Sequence, residues 1–211
     1  MDEVLENPYY DITIPNADRV LPHLFIGNYA AGEDEKFLTD NRVTYILNLT
    51  PDKHRKRFEG ITYLNLVLHD SAHEDISRVF DQAHDYLTTV RLEGAVALVH
   101  CHMGISRATT MTMSHILLSG KIYDDIDEHR ESGKMYASRG FADDKASSAG
   151  EQVSFAEVWR LVRTRRKCAL PNPGFVQYLG LLEMKLTGQS TPSVKPSDLP
   201  YEAYVELPLE I

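Results

Sequence analysis

Two residues in this 211-residue chain are spaced to do chemistry together: Cys101 and Arg107, within Val99-His-Cys-His-Met-Gly-Ile-Ser-Arg107. A loop of this length can curl its backbone N–H groups around one tetrahedral anion, with Gly104 supplying the conformational freedom for a tight arc. Arg107 closes the far side with a planar fork matched to two oxygens of a phosphate. Cys101, at the base, is then placed to act as a nucleophile.

The flanking elements support that placement. Ala95-Val-Ala-Leu-Val99 is a small apolar run opened by Gly94 and reads as a buried strand. Thr109 to Leu118 carries apolar residues at helical spacing, so the loop joins a strand to a helix whose first turn offers unpaired donors and a positive dipole end. Activating the sulfur is demanding. A free thiol titrates near ~8.5, and a drop of about three units requires about 4 kcal/mol. A helix end supplies only ~0.3–1 kcal/mol, so several N–H bonds to sulfur, Arg107 and an ordering contact from His100 must share the task. A lone cysteine at a strand end is ordinarily a buried structural thiol. The conjunction of strand, His-Cys, Gly, Arg and helix speaks against that role here.

His100-Cys101, five residues and Arg107 resemble the signature of the cysteine-dependent protein tyrosine phosphatases, and the Gly104-Ile-Ser-Arg107 form is nearest the dual-specificity branch, in its small atypical type without an added targeting domain. The resemblance continues through Val20-Leu-Pro-His-Leu-Phe-Ile-Gly27, Val43-Thr-Tyr-Ile-Leu-Asn-Leu-Thr50, Tyr63-Leu-Asn-Leu-Val-Leu-His-Asp70 and Pro171-Asn-Pro-Gly-Phe175. It implies an α/β fold with a central, mainly parallel five-stranded sheet flanked by helices. It also implies hydrolysis of phosphotyrosine and of phosphoserine or phosphothreonine through a phosphocysteine, with no cofactor. His102, Met103, Gly104, Ile105, Ser106 and Arg107 would hold the phosphate and His100 would support the cysteine. The loop lacks the lysines that inositol-lipid relatives bring, and no long aromatic segment deepens the pocket, so protein phosphoesters in a shallow site are expected.

The resemblance places the family's carboxylic acid at Asp70, and the leaving oxygen needs such a proton donor, a function worth typically ~10²–10⁴-fold. Glu74 and Asp75 are rivals on the same loop, and capping the helix that begins near Ile76 is the alternative role for Asp70. Since an aspartic acid ordinarily titrates near ~3.9, an acid of this kind predicts an optimum below neutrality. One departure stands out: the hydroxyl residue that often follows the arginine is here Ala108. That keeps a second expectation open, a slow pseudophosphatase acting as a phosphoprotein-binding scaffold.

The remaining chain reads as one domain, residues 17–187, between a tail at 1–16 and another at 188–211. Helices are expected near Gly32–Asn41, through Ile76, Phe80, Ala83, Leu87 and Val90, over Val153–Arg166 and over Phe175–Leu186, with strands near Val43–Leu49 and Ile61–Leu66. Trp159 and Leu161 should pack, and Arg163, Arg165 and Arg166 should be solvated. Residues 121–152 are polar and look inserted, either a functional flap or a disordered segment; composition favours disorder, with Met135, Tyr136 and Phe141 as candidate anchors against the domain.

Composition excludes other functions. A net charge of −9 argues against nucleic acid and anionic membranes, and Lys53-His-Arg-Lys-Arg57 reads as a solvated loop. There is no signal peptide, membrane anchor or nucleotide-binding loop. His69, His73, His100 and His102 lack paired cysteines, so no metal is expected, and the two cysteines, Cys101 and Cys168, imply no disulfide framework. A monomer in the cytoplasm or nucleus, acting on phosphorylated proteins with kinases among them, is the expectation.

Overall fold

The apolar run ahead of the loop becomes the middle strand of a five-stranded sheet. The computed structural model describes residues 15–52, 54, 56–122 and 152–199. The strands are β1 (Ala17–Leu21), β2 (Leu24–Gly27), β3 (Val43–Asn48), β4 (Thr62–Asn65) and β5 (Val96–His100), in the order β1-β2-β5-β3-β4. All neighbours are parallel except β1, which runs antiparallel to β2 at one edge. The mainly parallel sheet implied by the resemblance is the one observed. Gly27 on one side and Asn48 on the other are in register with His100, so three strand ends converge where the loop departs. Ligand sites of open parallel sheets lie beyond this end.

Alternation along β5 divides two apolar layers. Ala97 and Val99 face the main core, while Val96 and Leu98 face a smaller cluster with Phe25, Ala31, Leu38, Val43 and Ile46. Over the main face lie α3 (Phe80–Leu92), α4 (Arg107–Ser119), α5 (Phe155–Arg165) and α6 (Pro173–Thr187), with α4 at the centre and buried from Arg107 through Leu117. Ile76, Phe80, Ala83, Leu87 and Val90 are all buried, as their spacing predicts. Each such aliphatic or aromatic side chain contributes about 1.5–3 kcal/mol by leaving water.

The expected helix over Gly32–Asn41 is instead two short ones, α1 (Tyr29–Glu33) and α2 (Glu35–Asp40). Asp34 interrupts the run in an extended conformation and its side chain accepts from Phe37 N, so local capping prevails over apolar periodicity. Asn28 caps α1 in the same way. The helix expected at Ile76 opens with a 3-10 turn, Ile76–Val79, capped by Asp75.

Arg166 is fully buried, contrary to the solvated position expected for it. The helical pattern ends one residue earlier: Arg166 is the C-cap of α5, with φ −126° and ψ 95°, and its side chain turns under the protein instead of following the outer face of the helix. Arg165 donates to Val20 O, and Arg163 to Lys167 O and Ala169 O. Trp159 and Leu161 pack against the core as expected.

Residues beyond α6 are tied back to the domain. Glu183, with no solvent exposure, accepts from Phe155 N, Ser193 N and Ser193 Oγ, and Val194 is buried nearby. At the other junction Gln152 Nε2 donates to Leu117 O at 2.6 Å and Val153 N to Gly120 O at 3.4 Å. The expected anchors Met135, Tyr136 and Phe141, most of the 121–152 segment and most of both tails lie outside the described residues.

Candidate active site

The loop between β5 and α4 is held from behind, carbonyl by carbonyl. His100 O accepts from Leu49 N, His102 O from Tyr29 N, Met103 O and Gly104 O from Arg166, Ile105 O from Leu170 N, and Ser106 O from Thr110 N and Thr110 Oγ1. Cys101 O faces His100 Nδ1 at 3.4 Å. With the C=O groups committed outward, the N–H groups of the same peptides are free to turn toward a shared centre. Gly104 N donates to Cys101 Sγ at 3.2 Å, the inward-facing bond such a loop should make to sulfur. Gly104 sits at φ +68°, and an added Cβ would lie 2.4 Å from Gly27 O and 2.8 Å from Arg166 Nη2, so both backbone conformation and space require glycine.

Arg166 is the residue that sequence periodicity missed. Its Nε donates to Gly104 O at 2.7 Å, Nη2 to Met103 O at 3.3 Å, and Nη1 to Asp18 Oδ2 at 2.7 Å. The buried cation is thus paired with a carboxylate and uses its remaining donors to fix the middle of the loop.

Arg107 opens α4 and is buried. Its Nη1 donates to Leu68 O at 3.0 Å, while Nε makes no hydrogen bond and lies 3.6 Å from Asp70 Oδ2. Asp70 Oδ1 accepts from Ser106 Oγ at 2.7 Å and from Asn172 Nδ2 at 2.8 Å, placing a carboxylate at the loop's rim. Its rivals are occupied elsewhere: Asp75 caps the 3-10 turn and Glu74 pairs with Arg78. Asn172 also caps α6 through Phe175 N, and Gly174 lets the Ala72 carbonyl approach a position where any Cβ would lie 2.1 Å from it. These contacts explain why Pro171-Asn-Pro-Gly-Phe175 belongs with the site: it seats the loop that carries Asp70 and Ala72.

Ala108 is buried, and the hydroxyls that follow do not replace a missing one. Thr110 Oγ1 is committed to Ser106 O, and Thr109 Oγ1 makes no hydrogen bond. Among the described residues Gly104 N is the one hydrogen-bond donor to Sγ.

A ring cluster lies behind Cys101. His100 Nε2 is 2.9 Å from His54 Nε2, and His54 Nδ1 is 3.1 Å from Glu33 Oε1. Tyr29 stacks on His54 with centroids 5.5 Å apart, and His102 pairs with Asp52 at 2.6 Å. His54 therefore departs from the solvated loop expected for the basic run: its side chain is 3% exposed. Gly32 makes the room, since a Cβ there would lie 2.5 Å from His54 Cε1. Burial, then the neighbouring His54, pushes His100 down to about 3, and burial also lowers His54. Both rings are neutral at pH 7. His102 and Met103 are exposed at the mouth of the loop, whereas Ile105 and Ser106 are buried beneath it. No group of three or more His, Cys, Asp or Glu among the described residues is arranged to hold a metal.

Comparison with known proteins bears on the family and the fold. The family profile for "Dual specificity phosphatase, catalytic domain" matches residues 24–128. Human dual specificity protein phosphatase 22 is 28% identical over 193 residues, covering 92% of this chain and 84% of the relative. Mouse dual specificity protein phosphatase 15 is 27% identical, over 76% of this chain and 55% of the relative, so the chain spans about half of that protein. The fold is shared with human DUSP28, at TM-score 0.62 and 23% identity over 82% of this chain and 95% of that one. DUSP15 gives TM-score 0.60 at 24% identity, over 82% of this chain and 96% of that one. The chain belongs to the dual-specificity phosphatase family, in its small atypical form.

Proposed function

We propose that this chain is an active cysteine-dependent phosphatase for phosphotyrosine and phosphoserine or phosphothreonine in proteins. The observation that supports it most is the outward commitment of the carbonyls between His100 and Ser106, together with the Gly104 N–H that donates to Cys101 Sγ at 3.2 Å. The N–H groups of His102, Met103, Gly104, Ile105 and Ser106, with the Arg107 fork, hold the phosphate oxygens. Cys101 Sγ attacks phosphorus in line, forming an S–P bond as the P–O bond breaks. Its electron pair stays on the leaving oxygen, which takes a proton from Asp70. Water then attacks the phosphocysteine, gives a proton to Asp70, and releases inorganic phosphate while sulfur leaves as thiolate.

The substrates in this proposal are phosphorylated proteins, kinases among them, met by a monomer in the cytoplasm or nucleus. The exposed, shallow mouth at His102 and Met103 supports folded protein substrates, and no helix among the described residues is long and apolar enough to cross a membrane. Ala108 favours a second function: with Thr110 tied to Ser106 O, no hydroxyl among the described residues hydrogen-bonds the departing sulfur, and a pocket that binds phosphate but turns over too slowly to matter would act as a phosphoprotein-binding scaffold.

The test is hydrolysis of a small aryl phosphate with chelator present, for the unaltered protein and Cys101→Ser across pH 5–8. Chelator-resistant turnover lost in the variant supports the enzyme. Phosphopeptide binding without turnover in the unaltered protein supports the scaffold instead.

A further inference from the structure

The contacts behind Cys101 form a chain of three links: Glu33 Oε1 to His54 Nδ1 at 3.1 Å, His54 Nε2 to His100 Nε2 at 2.9 Å, and His100 Nδ1 to Cys101 O at 3.4 Å. Each link needs one proton between its two heavy atoms. Two neutral imidazoles carry only two. The links compete, and geometry ranks them. The carboxylate claims a proton on His54 Nδ1, which leaves His54 Nε2 as an acceptor and puts the His100 proton on Nε2. His100 Nδ1 is then bare, facing the Cys101 carbonyl across the longest of the three gaps. Cys101 O is thus the one carbonyl between His100 and Ser106 whose donor depends on protonation, since the others face backbone amides, Thr110 and Arg166.

We propose that Glu33 and His54 are positioning residues which hold His100 in its Nε2–H form while the loop is empty and take up a third proton when an oxyanion enters it. With the third proton all three links close, His100 Nδ1–H donates to Cys101 O, and the last carbonyl of the cradle is fixed outward. A cation also appears beside the bound dianion. The inference rests on the phosphate pocket proposed above.

The groups surrounding this chain set its balance. Glu33 on α1 favours the proton. Arg57 acts against it on His54, as do Arg107 and His102 on His100. Tyr29 stacks on His54 with centroids 5.5 Å apart, and Tyr63 tilts against it with centroids 5.4 Å apart. Burial keeps the empty chain neutral at pH 7. An arriving dianion offsets that desolvation, and linkage then requires that binding and proton uptake strengthen each other.

Tungstate is a suitable probe, being a dianion that carries no proton of its own at neutral pH. Calorimetric titration of the full chain in two buffers of different ionisation enthalpy at pH 7 gives the protons taken up per tungstate. Groups outside the three links contribute to that number equally in every variant, so the chain is read as a difference. His54→Gln should bind tungstate with an uptake lower by about one proton than the unaltered protein. Glu33→Gln, which keeps both rings in place, should lower it in the same direction and guards against a misfolded His54 variant. Unchanged uptake in Glu33→Gln, or in a folded His54→Gln protein, overturns the inference while leaving the phosphate pocket intact. Failure of the unaltered protein to bind tungstate overturns both.

Discussion

The protein contains two histidine clusters, one at each end of its sheet, and they are built on opposite terms. At the loop end His54, His100 and His102 are wired: each reaches another ring or a carboxylate, and Glu33 and Asp52 terminate the chains. At the other end His23, His84 and His115 meet near the start of β2, on α3 and on α4. His115 Nδ1 lies 3.1 Å from His84 Nδ1, and His23 sits edge-on to His115. Asp81 and Asp85 act on His84 through space, and Arg91 adds positive charge to all three surroundings. His115 Nε2 is buried without a hydrogen bond, as are Thr109 Oγ1 and Thr112 Oγ1 on the same helix. Histidine is therefore retained at one end as a connected proton path and at the other as a neutral core side chain. The first cluster ends on Glu33 and Asp52, and the second lies in the field of Arg91.

Breaking the scaffold around the wired end should give the largest loss of stability, with a loss of activity beside it. Arg166→Leu removes the donors for Met103 O and Gly104 O and strands the Asp18 carboxylate, at a cost of about 3–5 kcal/mol for a broken buried pair. A loop displaced by about 1 Å should lose about 10²-fold in kcat/KM on aryl phosphate, measured alongside denaturant unfolding. Asp70→Asn should cost kcat roughly 10²–10⁴-fold, with little change in unfolding midpoint.

The opposite cluster should reveal itself through acid. Burial lowers His23 from 6.5 to about 4, so the folded form binds fewer protons than the unfolded chain in that interval. The stability this neutral ring contributes is complete above pH 6.5 and is lost as pH falls to about 4. The loss from this one group is about 3 kcal/mol, and His115, held well below its ordinary value, adds to it. His23→Leu should flatten the fall in unfolding free energy between pH 6.5 and 4; an unaltered slope would contradict the assignment. The smallest effect is expected from Ala108→Ser, which restores a hydroxyl near the sulfur and should speed hydrolysis of the phosphoenzyme severalfold in rapid-quench experiments without changing stability.

What sequence could reveal follows from distance along the chain. Cys101, Gly104 and Arg107 are contiguous with the strand and helix that frame them, so the loop was legible from its own neighbourhood. The same holds for the buried face of α3, where periodicity is local. Arg166 reaches Gly104 across 62 positions and Asn172 reaches Asp70 across 102, and no periodic pattern encodes such pairings. Arg166 was further disguised by standing at the end of a helix whose last arginines share its charge but not its direction. His54 was hidden by its company, a basic run whose remaining residues say surface. Its burial depends on Gly32, 22 positions earlier, and on a helix break at Asp34 that capping geometry alone decides.

The junction between α4 and α5 has an implication for how this family diversifies. Leu117 and Gly120 on one side are clasped to Gln152 and Val153 on the other, and Glu183 secures Phe155 just beyond. The framework is thus clasped on either side of residues 123–151. Because the entropy of joining fixed ends grows only by about 0.6 kcal/mol for each doubling of the intervening length, this point works as a socket: sequences of very different size and origin can be exchanged there over evolutionary time, or by an engineer, while the phosphate loop on the far side of α4 keeps its shape.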